Sequence, residues 1–65
     1  MNQQPAYLVG QIVVFTDDPD LAARAANQIR QENLSSLIPN GTIVISGHHL
    51  AWTSLPALRS VDSWQ

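Results

Sequence analysis

At 65 residues the chain has room for one domain, 1–65, close to the size below which a core rarely stands unaided. It has no cysteine, so neither a disulfide nor a thiolate metal site staples it, and its 3 basic residues, all arginine and widely spaced, make no basic face for nucleic acid. Hydrophobic residues make up 45% of it, too many for a disordered tail, and a chain this short must hide them somewhere.

The N-terminal "MNQQPAYLVG" has no basic leader, and no apolar run approaches the roughly 20 residues that span a bilayer. Cytoplasm is the expected compartment, with no membrane partner. Residues 6–16, "AYLVGQIVVFT", read as the first strand, rich in branched and aromatic side chains. Its alternation leaves no polar face. Leu8, Ile12 and Val14 fall on one side; Tyr7, Val9, Val13 and Phe15 fall on the other.

"TDDPD" at 16–20 ends that strand and opens a helix over 19–33. Asp18 is a good N-cap, Pro19 suits the first helical position, and Asp20 complements the dipole. A calcium loop would need a glycine and a distal glutamate at set positions, and neither is present. Leu21, Ala22, Ala25, Ala26 and Ile29 share one arc, opposite Asp20, Arg24, Asn27 and Gln31. An arc built mostly of alanine sits close to a sheet but covers only one of its faces.

"LSSLIPNG" at 34–41 is a connection, and "TIVIS" at 42–46 is the second strand. Gly47, His48 and His49 then read as a three-residue link to "LAWTS", making 42–54 a hairpin. In the tail, 55–65, Pro56 opens a short helical turn, and Trp64 needs cover on the sheet or on a neighbouring molecule.

The expected fold is α+β: a small two-layer β-α-β-β domain with one helix on a three-stranded mixed sheet. The first strand lies at an edge, parallel to the second through a crossover. In element order the chain resembles dodecins and tautomerases. The resemblance is one of outline, since Pro5 follows Asn2, Gln3 and Gln4, whereas tautomerases carry proline directly after the initiator methionine.

Chemistry-bearing groups are few. His48 and His49 are neighbours, so in an extended chain they point to opposite faces and do not grip one metal ion together. The serines lie in no nucleophile elbow, and the glycines form no phosphate loop. The expected function is a small homo-oligomeric binding module, a dimer or larger, with no cofactor and no catalysis of its own. It holds a small molecule between subunits or binds a partner protein. His48, His49, Trp52 and Tyr7 are the candidate ligand contacts; Val9, Val13, Phe15 and Trp64 are the candidate subunit interface. The alternatives are a small oligomeric enzyme with an inter-subunit site using His48 or His49, and a phage- or plasmid-encoded inhibitor.

Overall fold

The computed structural model describes residues 5–59. It is a small α+β fold with a four-stranded antiparallel sheet and two helices. In chain order these are β1 (Tyr7–Val9), β2 (Ile12–Phe15), α1 (Pro19–Gln31), β3 (Asn40–Ile45), β4 (His48–Ser54) and α2 (Leu55–Arg59), with a short 3-10 turn at Leu34–Ser36 before β3.

The sheet departs from the expected three mixed strands because the first apolar run folds back on itself. Gly10 and Gln11 form a two-residue turn, and Val9 pairs with Ile12 across it. Gly10 has φ 64°, which glycine adopts freely and which the first central position of a type II′ hairpin turn requires. The turn changes the faces as well. Tyr7 and Val9 now share a side with Ile12 and Val14, while Leu8 joins Val13 and Phe15. The element order is therefore strand, strand, helix, strand, strand, and the outline shared with dodecins and tautomerases does not hold.

Strand order in the sheet is β1-β2-β4-β3, so β4 inserts between the two strands that α1 connects. Both β2 and β3 run antiparallel to β4, hence parallel to each other without touching. The same-direction return of the crossover survives, but the parallel neighbours do not. β2 is interior, flanked by β1 and β4, and the two edges fall to the short β1 and to β3. Ile12, Val13 and Val14 are all buried, as an apolar strand without a polar face requires.

The helix matches its sequence pattern closely. The Asp18 carboxylate accepts from the Asp20 amide at 2.9 Å and the Leu21 amide at 3.3 Å, with Pro19 at the first turn. Ala22, Ala25, Ala26 and Ile29 are buried against Ile12, Val14, Ile43, Ile45, Leu50 and Trp52, and Leu21 packs at the margin. The helix stops two residues short of the expected Asn33, which takes a left-handed φ of 57°. Two arginines tie α1 to opposite ends of the sheet. Arg24 Nη1 reaches Ser46 Oγ at 3.4 Å, and Arg30 Nη1 reaches the Val9 carbonyl at 3.4 Å.

The second hairpin is tighter than expected. Ser46 and Gly47 alone form the turn, with φ values of 49° and 80°, and Ile45 pairs directly with His48. Positive φ at both central residues is the type I′ geometry, whose twist suits the flanking strands. His48 and His49 therefore belong to β4. The helical turn of the tail starts at Leu55, one residue before Pro56. Trp64 lies outside the described residues.

Replacing Asp18 with alanine removes both cap bonds. Chemical denaturation should show a loss of about 1 kcal/mol, and millimolar calcium or magnesium should not raise the melting temperature of the wild type. A cation-dependent rise that the substitution abolishes would make "TDDPD" a metal loop.

Candidate functional site

The register divides the sheet into two unequal faces. Pairing sets Ile12 beside Ser54, Val14 beside Trp52, Leu50 beside Ile43 and Ile45 beside His48, all on the side that α1 covers. The opposite side carries Leu8, Val13, Phe15, Thr53, Ala51, Thr42, Asn40, Val44 and His49. Here Val13 and Thr53 are buried and Phe15 is partly so, whereas Leu8 is 58% and Val44 53% exposed.

The chain crosses to this second side after β4. The Leu55 amide donates to the Gln11 carbonyl at 2.8 Å, and the Ala57 amide donates to Ser54 Oγ at 3.3 Å, so α2 begins directly beyond the strand. Ala57 and Leu58 form one wall of a groove of about 530 Å³ that is largely open to solvent. Its floor is Phe15, Ala51 and Thr53; Asn40, Gly41 and Thr42 border it toward the β3 edge, and Trp52 adjoins it. None of these side chains carries a charge. A volume of this size falls within the usual range for small-molecule sites.

The residues expected to bind ligand are not gathered there. Trp52 is 2% exposed, a core residue whose ring packs under α1. Tyr7, 39% exposed, lies two strands away on the same face, with Val14 between them. His48 is on the α1 side at the turn, its Nδ1 3.1 Å from the Ser46 carbonyl. His49 is on the second face, opposite Val44, two residues along β4 from Ala51 and therefore in line with the groove. The expected interface set divides likewise: Val9 packs against the core, while Val13 and Phe15 face the other way. Among the described residues no three His, Cys, Asp or Glu side chains come close enough together to hold a metal ion. No helix among them is long and apolar enough to cross a membrane.

Three comparisons, with protein-family models, with curated proteins and with solved structures, find no match to this chain.

Sequence reasoning reached Phe15 and Trp52 and missed the small residues that make the groove. The signal was present in the alternation Leu50, Ala51, Trp52, Thr53, large then small. Large residues take the α1 face, and small ones leave hollow the face that α2 walls.

Trp52 also meets a glycine across the sheet. Its partner is Gly41, where a Cβ would stand 3.5 Å from Trp52 Nε1 and 3.3 Å from Ile38 Cδ1. The indole Nε1 is buried without a hydrogen-bond partner among the described residues. Truncating Trp52 to alanine should cost about 3–5 kcal/mol in urea unfolding. Replacing His48 and His49 together with threonine, a good strand residue, should change stability by less than about 1 kcal/mol. A reversal of that order would mean that the histidines, and not the indole, hold β4 in place.

Proposed function

We propose that the protein is a homo-oligomeric binding module, without catalysis of its own, that holds a small and largely apolar molecule in the groove between the sheet and α2. The observation that supports this reading is the groove itself. It has an uncharged floor of Phe15 and Ala51, a wall of Ala57 and Leu58, and a few polar side chains at Asn40, Thr42 and Thr53. Small-molecule sites are commonly built this way, with apolar area for affinity and a few polar groups for orientation. Because the groove is largely open to solvent, a second subunit is the natural means of closing it.

The competing reading, an enzyme with an inter-subunit site, falls to His49 rather than His48, because only His49 shares the groove's face. It would have His49 act on a molecule seated beside it. A pH-dependent activity lost in His49→Gln would favour it.

Native mass spectrometry of protein purified from its host reads subunit number and retained ligand together. The expected species is a dimer or larger carrying added mass. That mass should be lost in Ala51→Arg, a change at an exposed position of the groove floor that leaves the α1 core intact. Bare subunits, or added mass that Ala51→Arg leaves in place, would rule out the groove as the site.

A further inference from the structure

The hydrogen-bond phase of the sheet identifies which edge is open. Ser54 donates its amide to the Pro39 carbonyl at 2.9 Å, continuing the β3–β4 ladder one step beyond Asn40. In an antiparallel pair, hydrogen-bonded positions alternate with non-bonded ones. Gly41, Ile43 and Ile45 therefore bond to β4, while Asn40, Thr42 and Val44 turn their amides and carbonyls to the outer edge. By the same alternation β1, whose Val9 pairs with Ile12 across its turn, presents outward within the strand only Leu8. Among the described residues β3 is thus the longer unpaired edge, and it carries no charge, proline or bulge of the kind that blunts natural edges.

We infer that β3 pairs antiparallel with β3 of a second copy about a two-fold axis through Thr42, joining two sheets into one and completing the groove. The inference rests on the oligomeric reading above. A second copy fits this edge because antiparallel pairing centred on Thr42 brings its three outward positions into hydrogen-bonding register with one another, and the strand carries no charge to oppose its own copy. Antiparallel self-pairing sets Thr42 against the partner's Thr42 and Asn40 against the partner's Val44, so every outward amide and carbonyl of the three finds a partner. Threonine opposite threonine is a favourable cross-strand pair, and an uncharged strand brings no like charges together.

Packing on both faces agrees. On the α1 side, Gly41 lies opposite the partner's Ile43 and brings no side chain against it, and Ile38, whose Cδ1 stands 3.3 Å from where a Gly41 Cβ would be, is 44% exposed. On the groove side, the partner's Val44 lies next to Asn40, where the lining of one copy ends. The exposed Val44 becomes a wall of the neighbouring copy's site. Each subunit supplies what the other's groove lacks.

Sedimentation velocity tests the pairing at micromolar concentration. The wild type should run as a dimer, and Val44→Lys and Thr42→Pro should run as folded monomers by circular dichroism. Proline at Thr42 removes only an outward amide, and lysine at Val44 enters no core. Leu8→Lys, at the other edge, should remain a dimer. In wild-type hydrogen exchange, the Thr42 and Val44 amides should lose at least about tenfold protection on dilution, while Ile43 keeps its own; this measurement decides even if a variant fails to fold. An oligomer that survives both β3 variants overturns the edge and leaves the oligomeric reading standing. A folded wild-type monomer overturns both. Protection of Thr42 and Val44 that does not depend on concentration means that another segment of the same chain covers the edge, and it too overturns the pairing.

Discussion

An apolar sheet needs cover on both faces, and this chain has one long helix to cover them. That shortage shapes the rest of the molecule. Because α1 meets the sheet through Ala22, Ala25 and Ala26, it lies close and contributes little area of its own, so the large side chains must come from the strands. Trp52, Ile12 and Val14 supply them, all nearly or wholly buried. On the second face β4 contributes only the small Ala51 and Thr53, beside Phe15 and the brief α2, and the groove is what α2 leaves uncovered.

The helix was legible in the sequence because its signals are local. Asp18 and Pro19 mark its start, and an arc at 3.6-residue spacing marks its buried side. The strands were legible as apolar runs, but their pairing was not. Pairing depends on which residues turn, and two turns of two residues each were hidden inside apolar or strand-like text. Gly10 stands between valine and glutamine in a run that otherwise reads as strand, and only its positive φ separates a turn from a weak point in a ladder. Missing it made one strand of two and placed Leu8 on the wrong face.

The candidate site was less legible for the same reason. A strand has a side-chain period of two, so moving a turn by one residue exchanges every side chain between faces. With Ser46 and Gly47 as the turn, His48 lies with the core residues and His49 with the groove, and the pair shares no site. Val9 and Val13 likewise separate across the sheet. The polar residues that drew attention as rare chemistry are peripheral to the groove, and the residues that form it, Ala51, Thr42 and Thr53, are chemically plain. What makes them notable is the hollow they leave, and a hollow appears only once the pairing is known.

Trp52 shows how closely core and groove are joined. Its buried Nε1 has no partner among the described residues, and a buried unsatisfied donor costs about 1–3 kcal/mol. A phenylalanine would avoid that cost but fill less volume above an alanine-lined helix, where lost packing is also expensive. Gly41 is the matching concession on β3, since a side chain there would crowd Ile38 and the indole. One strand, β4, thus serves two purposes through alternate residues. Leu50 and Trp52 hold the helix; Ala51 and Thr53 floor the groove. Leu50 and Trp52 lie in the core, while Ala51 is exposed and outside it, so its size bears on the shape of the groove rather than on the packing under α1. In a chain with so small a core, this division by strand parity separates the side chains that hold the fold from those that line the groove.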